Sequence, residues 1–352
     1  MTSDDIKSMN LEEVKSVCKS LNLPSYRASQ IFSWLQKEGV SDYDEMTNIP
    51  KSLRQTLSEN YPIRSCEIEL KRVSKTDGTV KYLFKLYDGN FIESVLMKYK
   101  YGYTLCISSQ VGCKMGCVFC ASTKSGCVRS LYPSEMIGQI HAAQRDMNIR
   151  VSHVVMMGMG EPLDNFDNAM RFLELVGDDK GLNLSLRNIS LSTCGVVPRI
   201  YDLMDRHLQL TLSVSLHAPN NEMRSKTMPI NRKYPIEELL KACREYTKRT
   251  SRRISFEYAM IKDVNDSDAC AYELASLLKG MLCHVNLIPA NEIVESSHKR
   301  STNERLERFI QILNSRGINA TVRRSLGSDI DASCGQLRSR HNREISEKEG
   351  NK

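Results

Sequence analysis

Residues 104–120 read TLCISSQVGCKMGCVFC, a short β-like run that passes into a loop with three closely spaced cysteines. The spacing of Cys113, Cys117 and Cys120 is C-x3-C-x2-C. Three thiolates this close in sequence can converge on one soft metal centre, and iron–sulfur clusters are held by cysteine thiolates, usually four. A set of three leaves one iron of a cubane cluster open to another ligand, which is the arrangement of a catalytic site.

A structural zinc site is the alternative interpretation of the same spacing, with Cys106 or Cys127 as the fourth ligand. Two arguments count against zinc. The three cysteines follow the first strand of a strand–helix array, where substrates bind in such folds. In addition, a closed zinc site does not need a barrel around it.

Downstream of residue 103, β-like and helical patterns alternate along the chain. This alternation predicts a parallel α/β sheet with right-handed crossovers, either open or closed into a barrel, whose chemistry lies at the carboxyl ends of the strands. The predicted strands are residues 104–108, 153–157, 188–193, 210–215, 254–261, 284–289 and 319–323. The predicted helices include residues 133–147, 235–248, 268–278 and 303–316.

Upstream, a helical part precedes a β-rich part. Leu11, Val14 and Val17 recur close to one helical face, and Asn10 with Glu13 resembles a capping box. The β-like runs are residues 67–73, 81–87 and 91–97. We expect an N-terminal helical domain at 1–62, a β-rich connecting segment at 63–98, an α/β barrel at 99–337 and a polar tail at 338–352. The helical domain is either a brace or an RNA-docking module.

The composition excludes several classes of protein. The 352 residues are 41% hydrophobic and 26% charged, with a formal net charge of +7 and 12 cysteines. No stretch approaches the ~18 consecutive apolar residues of a membrane span, and the acidic start lacks the apolar segment of a secretory signal. We therefore expect a cytoplasmic protein without a disulfide framework and without a membrane partner. The positive charge permits a nucleic-acid partner.

The cysteine spacing after the first strand resembles the radical S-adenosylmethionine (SAM) superfamily. The segment that ends the second predicted strand, Met157-Gly158-Met159-Gly160-Glu161-Pro162, is similar to the glycine–glutamate–proline segment of that superfamily. The resemblance implies a partial (βα)6-type barrel that binds a [4Fe–4S] cluster through Cys113, Cys117 and Cys120. It also implies SAM on the open iron.

Longer segments resemble one branch of this superfamily, the adenine-C2 RNA methyltransferases (RlmN-like), whose Cfr-like relatives methylate C8. The matching segments are LCISSQVGC at 105–113, MMGMGEPL at 156–163, SVSLHAPN at 213–220, MPIN at 228–231 and DIDASCGQL at 329–337. The chain departs from the family at Glu292, where many relatives have proline after the residue that corresponds to Asn291, and at Ser333, where alanine is more usual.

The resemblance also implies roles for individual residues. Cys334 would receive a methyl group from one SAM and lose a hydrogen to the radical from a second. Glu93 would remove the proton from the adenine ring, and Cys106 would release the product by forming a disulfide with Cys334. The implied SAM-binding residues are Gly160, Glu161, Ser192, Ser215, Leu216, His217 and Asn291. Without the family, Glu93 and Cys106 would not be singled out, because a lone glutamate in a strand is usually solvated and a lone cysteine is usually core.

Two basic stretches are the candidate RNA contacts. Residues 224–253 contain ten lysines and arginines against three acidic residues, and residues 299–324 contain seven against two. Such clusters suit phosphate contacts, although a solvated helix face is an equal alternative for any one residue. We expect methylation of adenine C2 in 23S rRNA, in the peptidyl-transferase region, and in tRNA next to the anticodon. The enzyme is expected to be a monomer that receives electrons from a flavodoxin-like donor. The alternatives are a C8-methylating enzyme and a zinc-stabilised RNA-binding protein without catalysis.

Overall fold

The computed structural model describes residues 5–289, 300–330, 337, 338 and 341. It begins with three helices, α1 (Leu11–Ser20), α2 (Tyr26–Ser33) and α3 (Lys51–Asn60). The predicted capping box is confirmed at the start of α1, because the Asn10 side chain accepts from the Glu13 N–H and the Glu13 carboxylate accepts from the Asn10 N–H. This box satisfies two backbone donors that a helix N-terminus leaves open.

A four-stranded antiparallel meander follows the helices. Its strands are β1 (Glu67–Val73), β2 (Val80–Lys85), β3 (Phe91–Tyr99) and β4 (Gly102–Cys106). Asp77-Gly78 and Asp88-Gly89 lie in the turns between the first three strands, and both glycines have positive φ. The meander is not a detached linker, since β3 pairs with β4 and β4 pairs in parallel with the next strand of the main sheet.

The remaining elements alternate as the sequence predicts. A small hairpin, β5 (Gln110–Gly112) and β6 (Cys127–Ser130), interrupts the first unit. The later strands are β7 (Val151–Met156), β8 (Ile189–Thr193), β9 (Thr211–Ser215), β10 (Ile254–Met260), β11 (Cys283–Pro289) and β12 (Ala320–Val322). The helices are α4 (Pro133–Met147), α5 (Phe166–Gly177), α6 (Val197–Asp205), α7 (Asn221–Thr227), α8 (Ile236–Thr250), α9 (Asp268–Leu278) and α10 (Asn303–Ser315).

The ten-stranded sheet runs in the order β1-β2-β3-β4-β7-β8-β9-β10-β11-β12. From β4 onward neighbouring strands are parallel and follow chain order, so successive crossovers wind in one direction, as in a barrel. Six βα units and a short final strand confirm the predicted partial (βα)6-type barrel. It is open among the described strands, because β4 has β3 rather than β12 as its second neighbour.

The two faces of the parallel sheet differ in polarity. One face carries fully buried apolar side chains such as Leu191, Leu212 and Phe256, which belong to the main hydrophobic core. On the other face, Ser215 of β9 lies beside Glu257 of β10, which lies beside Asn286 of β11. A cavity of about 700 Å³ opens against this polar face. The inner side of the partial barrel is therefore a polar space and not a packed core.

All the parallel strands end at the same edge of the sheet, which we call the carboxyl edge. The fully buried side chain of Gln139, in α4, hydrogen-bonds to residues near the end of β4 at this edge. It accepts from the Ser94 hydroxyl and the Ser108 N–H, and it donates to the Ser108 carbonyl. No helix among the described residues is both long and apolar enough to cross a membrane.

Candidate active site

The cysteine loop (residues 113–126) joins β5 to β6 at the carboxyl edge. Its two ends are closed by a hydrogen bond from the Cys113 N–H to the Gly126 carbonyl, 2.9 Å. Gly112 has a φ of +85°, and a Cβ there would overlap the Gly126 carbonyl oxygen. Glycine is therefore required to turn the chain into the loop.

The three predicted cluster ligands lie together in this loop. Cys113 and Cys117 are buried and Cys120 is half-buried, and the three thiols interact electrostatically with one another. Burial, reinforced by the neighbouring thiols, raises the pKa of Cys113 and of Cys117 to about 12. Among the described residues, no group of three or more histidine, cysteine, aspartate or glutamate side chains is already arranged to hold a metal ion. The donor set itself, three adjacent thiols, suits an iron–sulfur cluster.

The cysteine loop packs against the end of α7 and against a residue that follows β8. The Val118 N–H donates to the carbonyl of Thr227, the last residue of α7, at 3.0 Å. Cys117 packs against Cys194, which follows β8, and against Met228. Cys106, an alternative fourth ligand, packs instead with Val95 and Met97 of β3.

The glycine-rich segment after β7 packs against the strand before the cysteine loop. Gly160 has a φ of +103°, and a Cβ there would lie 2.6 Å from the Gln110 backbone nitrogen. The carbonyl of Met159 accepts from the N–H groups of Ser109 and Gln110. The segment can come this close only because its glycines lack side chains.

Glu161 joins two strand ends at the carboxyl edge. Its buried carboxylate accepts from the Leu163 N–H at 3.0 Å and from the Cys194 N–H at 2.7 Å. Burial raises the pKa of this carboxyl, and these hydrogen bonds oppose the rise. Each carboxylate oxygen has a backbone partner, and the side chains of Thr193 and Cys194 also hydrogen-bond to this carboxyl group.

The other predicted SAM-binding residues follow the next two strands. Ser192 is near the end of β8, Ser215 ends β9, and Leu216 and His217 come directly after it. The N–H groups of Leu216 and His217 both donate to the Glu257 carbonyl. Asn291 lies outside the described residues. The structure thus brings the described members of the set to adjacent strand ends.

The imidazole of His217 is held as a neutral ring. Its Nδ1 accepts from the Ala259 N–H at 2.9 Å, which leaves the proton on Nε2. Burial lowers the pKa of His217 to about 3. Its ring stands edge-on to Phe119 of the cysteine loop, with the centroids 4.8 Å apart. His217 therefore connects the loop after β9 to the cysteine loop.

Glu93 and Cys106 lie on the same face of the sheet. Val95 is directly opposite Cys106 in the β3–β4 pair, and Glu93 is two residues from Val95, so its side chain points the same way. Glu93 is 2% exposed and forms an ion pair with Lys81 of β2. Its Oε1 also accepts from the Arg338 N–H at 2.6 Å. Cys334 lies outside the described residues.

Arg224 is a residue that the sequence analysis interpreted wrongly. It was counted among the basic residues suited to RNA phosphates, yet it is 0% exposed. Its guanidinium donates to the carbonyls of Leu216, Ser215 and Cys194 and to the Asn231 side chain. The neighbouring basic residues of the same stretch are exposed, so the local sequence does not distinguish Arg224 as the buried one.

Part of the first basic stretch is at the opposite edge of the sheet from the cysteine loop. Arg252 and Arg253 directly precede β10, and the Arg252 guanidinium donates to the carbonyl of Leu210, just before β9. Both arginines line the amino end of the inner cavity. The first basic stretch therefore does not lie on one edge of the sheet, because α8 runs antiparallel to the strands and its last turn lies at their amino ends.

Comparisons with known proteins agree along the chain. The Radical SAM superfamily model matches residues 107–274, and the model of the ribosomal RNA large subunit methyltransferase N-terminal domain matches residues 5–63. A probable dual-specificity RNA methyltransferase RlmN from Lachnospira eligens is 51% identical, with 98% of this chain and 99% of that protein covered. Its counterpart from Clostridium botulinum is 53% identical, with 95% and 96% covered.

A solved structure shares the fold. The crystal structure of a radical SAM methyltransferase from Sphaerobacter thermophilus superposes with a TM-score of 0.90 at 46% identity, covering 94% of this chain and 98% of that one. The match therefore includes the helical and meander parts as well as the partial barrel.

Proposed function

The chain belongs to the RlmN family of radical SAM RNA methyltransferases, and from this premise we propose that it methylates C2 of adenine in 23S rRNA, in the peptidyl-transferase region, and in tRNA next to the anticodon. One observation carries the proposal. The cysteine loop, the Gly160–Glu161 segment and the residues after β9 meet at the carboxyl edge, and Glu93 and Cys106 share a sheet face beside them.

The cofactors are a [4Fe–4S] cluster and SAM. We propose that Cys113, Cys117 and Cys120 hold the cluster. The proposed SAM-binding residues are Gly160, Glu161, Ser192, Ser215, Leu216, His217 and Asn291. When bound, the cluster and SAM supply one-electron chemistry and the methyl group. The close backbone approach at Gly160 and the buried carboxylate of Glu161 suit the ammonium group of an amino acid.

Cys334 is proposed to carry the methyl group as S-methylcysteine between two molecules of SAM. A carbon radical on that methyl group can add to the electrophilic C2 of adenine, which carries no acidic proton for a polar reaction. The Arg338 N–H, four residues after Cys334, donates to Glu93, so the chain that bears Cys334 returns to the proposed base.

Glu93 is proposed to remove the C2 proton from the radical adduct, and the unpaired electron of the adduct would return to the one-electron centre that the cluster supplies. A general base must be deprotonated and within reach of its proton. The Lys81 ammonium, 3.1 Å away, holds the carboxyl group in place, and burial keeps that group away from bulk water.

Cys106 is proposed to release the product. Its thiolate attacks the sulfur of Cys334, the bond from that sulfur to the methylene carbon breaks, and the electron pair passes to the product, which takes up a proton. A disulfide between Cys106 and Cys334 remains. Cys106 is 5% exposed on the face shared with Glu93, so both groups can address one adduct.

The RNA partner must present a single unstacked adenine to this site. Folded RNA is recognised largely by shape and by splayed bases. The proposal further includes a cytoplasmic monomer that receives electrons from a flavodoxin-like donor, as the sequence analysis expects.

The experiment is mass-spectrometric mapping of methylated adenine in rRNA and tRNA after incubation with the reconstituted enzyme, SAM and a reductant. We expect 2-methyladenosine in both RNAs. Methylation at C8 would replace the proposal with the Cfr-like alternative. Colourless protein with stoichiometric zinc and no iron would replace it with the zinc-stabilised RNA-binding alternative.

A further inference from the structure

Arg224 is a fully buried cation at the carboxyl edge. It lies in α7, and its side chain is among the largest fully buried ones in the described chain. A buried charge is costly unless it is paired with an opposite charge or well hydrogen-bonded. The partners of this guanidinium therefore indicate what it is for.

Every hydrogen-bond acceptor around Arg224 is formally neutral. The Nη2 atom donates to the Cys194 carbonyl at 2.7 Å and to the Ser215 carbonyl at 3.2 Å. The Nε atom donates to the Leu216 carbonyl at 3.2 Å, and Nη1 donates to Asn231 Oδ1 at 3.0 Å. These bonds join the ends of β8 and β9, and among the described residues no carboxylate forms an ion pair with Arg224.

A half-buried arginine shows the usual arrangement. Arg129 of β6, whose side chain is 20% exposed, pairs with both Asp88 and Glu135. Its positive charge is therefore compensated by carboxylates within the protein. The contrast makes the lack of a carboxylate at Arg224 a specific property of that position.

The ionisable groups that interact with Arg224 are the thiols of Cys194, Cys117 and Cys243 and the neutral imidazole of His217. Its charge interacts with Cys117 of the cysteine loop and with Cys194, against which Cys117 packs. The helix that carries Arg224 is bonded to the same loop through the Thr227 carbonyl and the Val118 N–H. The guanidinium is thus fixed beneath a proposed cluster ligand.

We propose that Arg224 is the buried counter-charge of the iron–sulfur cluster held by Cys113, Cys117 and Cys120, and that it favours the one-electron reduction of that cluster. This inference rests on the proposed function. Three thiolates give an oxidised [4Fe–4S] cluster a net negative charge, and reduction adds a second one. A fixed positive charge in a low-dielectric site stabilises the reduced form more than the oxidised form.

The test compares the full-length wild-type protein with Arg224→Gln and Arg224→Lys, each reconstituted anaerobically without RNA. Glutamine removes the charge, whereas lysine keeps it and loses the fork of donors. Arg232→Gln is the matched control, because Arg232 is an exposed residue soon after α7 whose charge is screened by solvent. The measurements are iron and sulfide content, thermal unfolding, and a redox titration followed by electron paramagnetic resonance.

We expect Arg224→Gln to lower the ratio of reduced to oxidised cluster about ten-fold at a fixed potential, which equals 59 mV for a one-electron couple. Arg224→Lys and Arg232→Gln should stay within about three-fold of wild type. If Arg224→Gln folds but does not load iron, loading by Arg224→Lys supports the inference, and failure of both overturns it.

An unchanged potential in iron-loaded Arg224→Gln overturns the inference and leaves the proposed function intact. Equal shifts in the glutamine and lysine variants also overturn it, because hydrogen bonding rather than charge would then set the potential. A wild-type protein that binds no iron–sulfur cluster contradicts the proposed function itself.

Discussion

The ammonium nitrogen of Lys81 lies 3.1 Å from Oε2 of Glu93, and their side chains are 0% and 2% exposed. The two residues are diagonal neighbours across the antiparallel pair of β2 and β3, because Leu83 is the direct partner of Glu93 and Val95 is that of Lys81. An ion pair this deeply buried holds the carboxylate in one place. It therefore gives the proposed base a fixed position.

The first prediction concerns the stability of this pair. Lys81→Met should lower the free energy of unfolding by about 3–5 kcal/mol, because it leaves Glu93 buried without its cation. Adding Glu93→Gln to that variant should restore a large part of the loss. Urea unfolding of wild type, both single variants and the double variant measures the coupling. Additive effects would show that the two side chains are independent.

The second prediction separates the two half-reactions. Glu93→Gln should slow RNA methylation by roughly 10²- to 10⁴-fold, the range for loss of a positioned base. Methylation of Cys334 should persist, since that step does not need Glu93. Peptide mass spectrometry follows Cys334, and radiolabelled methyl transfer follows the RNA. Loss of both half-reactions in parallel would argue that Glu93 acts only on the fold.

The third prediction concerns the resolving thiol. Cys106→Ala should accumulate RNA covalently attached to the protein, because no thiol is left to break the bond from Cys334 to the adduct. Denaturing electrophoresis with labelled RNA detects this species. Cys243→Ala is the matched control, since Cys243 is fully buried in the main core, away from Glu93. Free RNA alone in the Cys106 variant would remove Cys106 from this role.

The fourth prediction concerns Gly160. Gly160→Ala combines a strained φ with a Cβ 2.6 Å from Gln110, so it should both destabilise the protein and weaken SAM binding by at least ten-fold. Gly280→Ala is the control: Gly280 has a φ of +74° but no atom within 4 Å of its Cβ. Gly280→Ala should lower the free energy of unfolding by about 1–2 kcal/mol, the strain of a left-handed backbone at a residue other than glycine. Calorimetric SAM titration of both variants decides, and equal affinities would count against a tight approach at Gly160.

The fifth prediction is a pH dependence that involves His141 of α4. This imidazole is buried, its Nε2 contacts the Gln36 carbonyl at 3.1 Å, and burial, aided by the charge of Lys7, lowers its pKa well below the ordinary 6.5. Unfolding frees the ring to bind a proton below about pH 6.5, so stability should fall as the pH drops below that value.

His141→Asn should flatten this part of the pH profile, measured as the urea midpoint from pH 7.5 to 5. His207→Asn is the control, because His207 is exposed and already at positive φ, which asparagine tolerates. The same slope in the wild type and in the His141 variant would assign the pH dependence to other groups.

Local patterns were enough to predict most of the fold. The helices at Pro133–Met147 and Asp268–Leu278 begin and end where the sequence predicts, and the predicted strands differ from the observed ones by at most two residues at either end. Periodicity, caps and turn residues depend on near neighbours in the chain, so they can be read without the fold. The same holds for the spacing of the three cysteines.

Burial of charge could not be predicted in this way. Arg224 belongs to a basic run, and only the strand ends at Cys194 and Ser215 bury it. In the sequence, Lys81 is a polar residue of a predicted strand. Only the pairing of β2 with β3 places its ammonium beside Glu93. In both cases the partners are remote in sequence or meet only through strand register.

The sequence by itself therefore determined the order of strands and helices, the cysteine triad and the family. The tertiary structure decided which edge carries each group. It brought Glu93 and Cys106 to one face, buried Arg224 beneath the cysteine loop, and moved Arg252 and Arg253 to the opposite edge. The reason is physical: secondary structure follows from local backbone and side-chain preferences, whereas burial and charge pairing follow from contacts that exist only once the sheet has formed.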